Sequence, residues 1–157
     1  MKGLHGFTLI ELVVTLVLVG LVAYVSVPLY EVTSTRLRET ELRAALRQIR
    51  TAIDAYKTAA DSGVIPKGVT DSGYPPSLEI LLQGTETQRE ADGRRIIFLR
   101  QLPRDPFFPD QAMAPAKQWA TRSYSSPPDD PYPGSDVFDV ASRSLRVGLN
   151  GVPYREW

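Results

Sequence analysis

Residues 7–30 read FTLIELVVTLVLVGLVAYVSVPLY, a run of Leu, Val and Ile in which the only charged side chain is Glu11. At 1.5 Å per residue such a run makes about 36 Å of helix, enough to cross a hydrocarbon core of about 30 Å. A cleaved secretory signal would have a shorter apolar region ending in a small-residue A-x-A site. Val22-Ala23-Tyr24-Val25-Ser26 offers no such site, so the run reads as a retained membrane anchor. Lys2 lies before it and the polar bulk of the chain after it, which predicts a cytoplasmic N-terminus and an exported C-terminal part.

Composition narrows what that exported part does. The chain has 157 residues, a length for one small domain, and its 18 Lys and Arg balance 18 Asp and Glu. Net charge therefore gives no support to a nucleic-acid partner. Cysteine is absent, which removes disulfides and thiolate metal sites. The sole histidine, His5, precedes the apolar run. No G-x-S-x-G, Walker-type or dinucleotide-binding glycine pattern occurs. Asp105 and Asp110 are the carboxylate pair that acid–base catalysis would need, but they sit in a proline-rich loop unsuited to rigid placement. The expectation is a protein with no catalytic residues, no cofactor and no metal.

Glu11 is the feature a plain anchor leaves unexplained. A carboxylate near the centre of a membrane helix costs about 2.5–3.5 kcal/mol on insertion scales, and less near an end. The bland reading is a glutamate that reaches the headgroups. Its neighbours are specific, however: the six residues MKGLHG precede Phe7-Thr8-Leu9-Ile10-Glu11.

Gly6-Phe7-Thr8-Leu9-Ile10-Glu11 resembles the prepilin processing motif of type IV pilins and type II secretion pseudopilins. The resemblance implies that residues 1–6 are a leader which a prepilin peptidase removes on the cytoplasmic face. It cuts between Gly6 and Phe7 and N-methylates Phe7. Residues 7–30 are then the transmembrane half of a long helix, and residues 31–157 a periplasmic domain. Glu11 and the new Phe7 ammonium are implied as assembly residues. In a staggered filament each charge, costly alone in lipid, can meet its counterpart on another subunit. A partner within the same chain, about one helical turn away, is also reachable. Pro28 matches a family proline that kinks or locally melts the helix; alternatively it only bends it.

Beyond the anchor, Leu42, Ala45, Leu46, Ile49, Ala52, Ile53 and Tyr56 recur at helical spacing and predict a stripe facing a core. Arg43, Arg47, Arg50, Asp54 and Lys57 lie between them as the wet face, and Arg36 and Arg38 read as solvated or as contacts to a neighbour. Asp61-Ser62-Gly63 and Pro66 predict the helix end. Ser77 and Gly84 bracket a short helix, residues 85–93 read as loop, and Ile96-Ile97-Phe98-Leu99 as a buried segment. Residues 119–125, 136–142 and 145–149 read as strands, with Asn150-Gly151 a tight turn and residues 127–134 a loop. The order predicts an α+β fold, a long helix whose stripe is covered by a small antiparallel sheet.

This half is similar to major, G-type pseudopilins through Tyr74-Pro75, Leu102-Pro103-Arg104-Asp105-Pro106, Phe138-Asp139 and Trp157. It departs from them at Phe107-Phe108-Pro109 and the residues up to Gln118. Many such relatives bind calcium in an aspartate-rich C-terminal loop, yet residues 142–154 here contain no Asp or Glu. Asp129, Asp130, Asp136 and Asp139 are an alternative set, more readily read as solvated. Arg143, Arg146 and Arg155 are expected to tie the loop down instead. The resemblance implies a homopolymer in the inner membrane that works with minor pseudopilins and an assembly platform. Competing readings are a type IV pilus or competence pseudopilus subunit, or a signal-anchored binding module that never polymerises. The competence reading would want a basic aromatic patch, which the sequence does not display.

Overall fold

The computed structural model describes residues 6–68, 71–88 and 94–157; the expected leader, apart from Gly6, and residues 89–93 of the expected loop lie outside them. The chain divides into two compact units, Met1–Leu37 and Arg38–Trp157. One helix, α1 (Leu9–Asp61, 53 residues), contributes to both.

In the first unit the apolar side chains of α1 are exposed, from Leu9 at 83% to Tyr30 at 75%. The helix is long and apolar enough to cross a membrane, and none of its most apolar window is buried by protein. Its hydroxyls turn back on its own carbonyls: Thr15 to Leu12, Ser26 to Val22 and Thr33 to Leu29, at 2.7–2.9 Å. That pairing satisfies these three hydroxyl protons within the helix, as an apolar solvent demands.

In the second unit the predicted stripe is the core. Leu42, Ala45, Leu46, Ile49, Ala52, Ile53 and Tyr56 are buried together with Leu81, Leu102, Trp119, Val140 and Tyr154. Each fully buried Leu or Ile adds about 1.5–3 kcal/mol. The helix ends where its sequence says, in a Schellman motif: Val64 N–H donates to the Ala59 carbonyl and Gly63 N–H to the Ala60 carbonyl, with Gly63 at φ 66°. Then follow α2 (Leu78–Gln83), β1 (Thr85–Glu86), β2 (Arg95–Ile96), α3 (Pro115–Gln118), β3 (Trp119–Arg122), β4 (Asp139–Ser142) and a 3₁₀ turn (Tyr154–Glu156). β1 pairs with β2 and β3 with β4, both antiparallel, in register Thr85↔Ile96 and Trp119↔Ser142. The result is the expected α+β fold of a long helix and small antiparallel sheets, consistent with a type IV pilin-like architecture.

Several local expectations need correction. The sheet is two separate ribbons rather than one. Thr85-Glu86, read as loop, is a strand. Of the supposed buried segment only Leu99 is buried, while Ile97 is 58% exposed. Ser77 is the N-cap of α2 but makes no side-chain cap bond. The strand from Trp119 stops at Arg122 because the Ser123 N–H goes to the Tyr132 carbonyl. Its partner starts only at Asp139, since the Val137 N–H goes to the Pro75 carbonyl. Residues 145–149 form no strand: their one ladder contact is an isolated bridge, Val147↔Pro153, around a turn closed by Gly151 N–H to the Gly148 carbonyl. The tight turn itself is where Asn150-Gly151 placed it.

Three buried or half-buried polar groups fasten loops to this core. Glu39, 4% exposed, accepts the Leu149 N–H at 2.6 Å and the Tyr154 hydroxyl at 3.1 Å. Arg50 donates to Asp139 at 2.8 Å and to the carbonyls of Val140 and Trp157 at 3.1 and 2.7 Å. Asp105, fully buried, accepts the Phe107 N–H at 2.8 Å and the Ser142 hydroxyl at 2.6 Å. The expected arginine ties are partial. Arg143 donates to the Trp119 carbonyl at 3.1 Å and Arg146 lies over the Phe107 ring, but Arg155 reaches only Glu156 at 3.7 Å.

Two stability tests follow from these contacts. Gly84 has φ 74° and a Cβ there would meet the Ile96 carbonyl oxygen at 2.7 Å, whereas Gly63 has open space around it. Gly84→Ala should therefore cost about 2–4 kcal/mol and Gly63→Ala only about 1 kcal/mol in denaturant unfolding of the detergent-solubilised chain. Burial first, and then the Glu39 carboxylate, push the Tyr154 phenol above its usual range. A raised pKa means its stabilisation is full below about pH 10 and lost as pH climbs through the folded value. Wild type should lose stability above that pH more steeply than Tyr154→Phe, and Glu39→Ala should cost about 2–4 kcal/mol at neutral pH.

Candidate functional site

Glu11 and Phe7 are the predicted assembly residues, and both sit at the start of α1 in surroundings of exposed apolar side chains. Phe7 is 82% exposed. Gly6, Phe7 and Thr8 are non-helical and exposed, so the Gly6–Phe7 peptide bond lies in accessible chain just before the helix. Gly6 has neither a positive φ nor any atom within 4 Å of where a Cβ would stand. Nothing in the fold of the described residues calls for glycine there.

The local geometry around Glu11 is a capping box, which the sequence reading missed. Thr8 is the N-cap: its carbonyl takes the first helical bond, from Leu12 N–H at 3.1 Å. Its Oγ1 accepts the Glu11 N–H at 3.3 Å, and Glu11 Oε2 accepts the Thr8 N–H at 3.5 Å. The T-x-x-E spacing was a readable signal. The carboxylate thus satisfies an orphan donor of its own helix, which offsets part of the cost of placing it in lipid. At 3.5 Å that bond is long, and an ammonium close by would outcompete it.

Pro28 lies inside α1, which continues through it. The proline has no N–H, so the Tyr24 carbonyl lacks its usual helical donor. Arg36 and Arg38 are exposed beyond it.

The carboxylates considered for other chemistry are held apart. Both oxygens of Asp105 are engaged, while Asp110 caps the Ala112 N–H at the surface, so the two do not form an acid–base pair. Asp136 accepts the Ser123 hydroxyl at 2.6 Å, the Tyr124 N–H at 2.9 Å and the Ser72 hydroxyl. Burial raises its pKa, but those three bonds outweigh burial and hold it below the ordinary carboxylate value. Asp139 is taken by Arg50, and Asp129 and Asp130 are exposed. Among the described residues no three metal-ligating side chains converge. The calcium site that the resemblance to G-type pseudopilins would imply does not fit here either. The C-terminal loop offers no carboxylate, and its Leu149 N–H points at Glu39, the reverse of what a cation needs.

One feature emerges only in three dimensions. The rings of Tyr74 and Tyr124 stack at 5.5 Å and Phe138 packs edge-on at 5.0 Å from Tyr74, with Arg122 over Phe138 and Lys57 over Tyr74. This is an aromatic patch with flanking cations, which the sequence did not display. Its setting is nonetheless acidic. After burial, the charge of Asp54 is the next cause raising the Tyr74 pKa, with Asp61 and Asp136 adding to it. A polyanion finds no net attraction there.

Comparison with known proteins bears mainly on the N-terminal half. Residues 1–23 match the prokaryotic N-terminal methylation motif. Two curated fimbrial proteins of Pseudomonas aeruginosa are each 31% identical over 88 residues, covering 55% of this chain and 53% of their own length. The chain thus spans about half the length of the curated relatives it matches. No solved structure matches. The methylation motif and the fimbrial relatives, together with the exposed apolar helix, support a type IV pilin-like chain.

Proposed function

We propose that the chain is the structural subunit of a type II secretion pseudopilus, a polymer that grows from the inner membrane and drives protein export. The observation that carries this reading is Glu11, a carboxylate on an exposed apolar helix whose only local partners are its own Thr8 atoms. In the proposed mechanism a prepilin peptidase cuts between Gly6 and Phe7 and methylates the new amine. The Phe7 ammonium of one subunit then meets Glu11 of another. Pairing lowers the cost of both charges in lipid and favours adding a subunit to the filament. Gly6 fits a residue kept for recognition by another enzyme, because its own chain makes no use of it. The membrane phase holds residues 7–30, and the domain from residue 31 onward lies in the periplasm. Minor pseudopilins and an inner-membrane assembly platform are the proposed partners, with no catalytic role for the chain itself.

A second reading, the subunit of a type IV pilus, is favoured by the fimbrial relatives. G-like features of the second half, Leu102-Pro103-Arg104-Asp105-Pro106 and Trp157 among them, and the absence of any cysteine for a C-terminal disulfide loop favour secretion.

Mass spectrometry of the protein from native membranes should find an N-terminus beginning at methylated Phe7. An intact Met1, or a cut beyond Ser26, would overturn the filament reading. Glu11→Ala should still be cleaved and anchored, yet form filaments at yields about a hundredfold lower or less, as expected for an ammonium left unpaired in lipid. Normal filaments from that variant would remove the proposed role of Glu11. Deleting the protein should stop export of folded proteins across the outer membrane; loss of surface fibres with export intact would favour the pilus.

A further inference from the structure

The C-terminal hairpin, residues 144–153, is fastened from beneath yet carries its apolar side chains on the outside. Leu145 is 85% exposed, Val147 57%, Leu149 50% and Val152 38%. This exposure is not fraying. Gly148 N–H bonds the Val152 carbonyl, Gly151 N–H the Gly148 carbonyl, Tyr154 N–H the Arg146 carbonyl, and Leu149 N–H the buried Glu39. The alternation of Leu145, Val147 and Leu149 is that of a half-buried strand, and a single chain buries none of it.

Charge indicates what covers it. Residues 142–155 contain Arg143, Arg146 and Arg155 and no acid. Residues 127–136 contain Asp129, Asp130 and Asp136 and no base. That second segment is exposed throughout residues 127–135, presents Tyr132 at 45% exposure among four prolines, and is pinned by Tyr132 N–H to Ser126 Oγ at 2.9 Å. The carboxylates of Asp129 and Asp130 have no ion-pair partner among the described residues. Within one chain the two segments do not neutralise each other. Pro128, Asp129, Pro131, Arg143 and Leu145 are among the residues lining an open groove of about 1040 Å³. Arg146, Val147, Leu149 and Val152 do not line that groove, nor do Asp130, Tyr132 and Pro133.

We propose that the hairpin face of Val147, Leu149 and Val152, with the exposed Arg146 at its edge beside the Phe107 ring, docks on the proline-rich acidic loop of a second copy, at Asp130, Tyr132 and Pro133. The contact joins two different patches, so it is heterologous and propagates rather than closing a pair. Proline and tyrosine cover apolar side chains at little entropic cost, and the Arg146–Asp130 charges set the register. The proposal rests on the filament reading, to which it adds a specific subunit contact.

The absence of native cysteine makes a disulfide test clean. Val147→Cys with Pro133→Cys, expressed at native level in full-length protein, should give a ladder of oxidised multimers in native membranes, while neither single variant does. Arg146→Glu and Asp130→Arg should each cut filament yield at least about fivefold, and the two together should restore it to within about twofold of wild type. Thermal unfolding of each variant separates loss of contact from loss of fold. No ladder, or a double charge variant as poor as the worse single one, overturns the contact. Filaments without the ladder sink this contact and leave the filament reading standing. A ladder without filaments does the opposite.

Discussion

The constraint on which the rest depends is that one helix must satisfy two solvents. From Leu9 to Tyr30 the side chains of α1 are apolar on every face and exposed. From Glu39 onward only one stripe is buried, and the remaining positions carry Arg43, Arg47, Asp54 and Lys57. A helix hydrophobic all round needs to be buried, in a protein core or in a membrane, and this one is not buried by its own chain. An amphipathic helix, by contrast, lays its stripe against a core. The change between these patterns decides where the membrane ends and the domain begins. The compact C-terminal unit starts at Arg38, next to Glu39, the first buried side chain of α1. Residues 31–37 are neither apolar enough for lipid nor buried in the domain, and this is the stretch a filament would have to cover.

Glu11 and Glu39 are two carboxylates on this one helix that solve opposite problems. Glu39 is buried in protein and its acceptor capacity is used: Leu149 N–H, the Tyr154 hydroxyl and Arg43 at 3.9 Å surround it. It holds the C-terminal hairpin by accepting hydrogen bonds from Leu149 and Tyr154. Glu11 has only a long bond to Thr8 and stands in apolar surroundings. A satisfied buried acid makes a joint; an under-satisfied one in apolar surroundings keeps acceptor capacity to spare.

What the sequence revealed and what it hid follow from the range of the forces involved. The membrane run, the core stripe from Leu42 to Tyr56, the Gly63 stop and the Asn150-Gly151 turn are local patterns, and each stands where its residues put it. The fasteners were hidden because their partners are far away in the chain. Arg50 meets Asp139 across 89 residues and Glu39 meets Tyr154 across 115, and no local periodicity marks such pairs. At the candidate site the motif of residues 1–23 was legible in the sequence and matches the N-terminal methylation motif. The capping box is just as local, since its T-x-x-E spacing stands in the sequence at Thr8 and Glu11.

The one periodic segment that misled, residues 145–149, did so for a physical reason. Alternation reports that a face is to be covered, and says nothing about whether the cover is intramolecular. Here the ribbon β3–β4 takes its core from Trp119, Val140 and Ser142, and Gly148, Asn150 and Gly151 turn the next segment away from it. The apolar side chains stay outside, held there by Glu39 from within. A binding module that acted alone would carry this surface as a liability for aggregation. Covered by a neighbouring copy, as the filament reading proposes, the same surface ceases to be a liability.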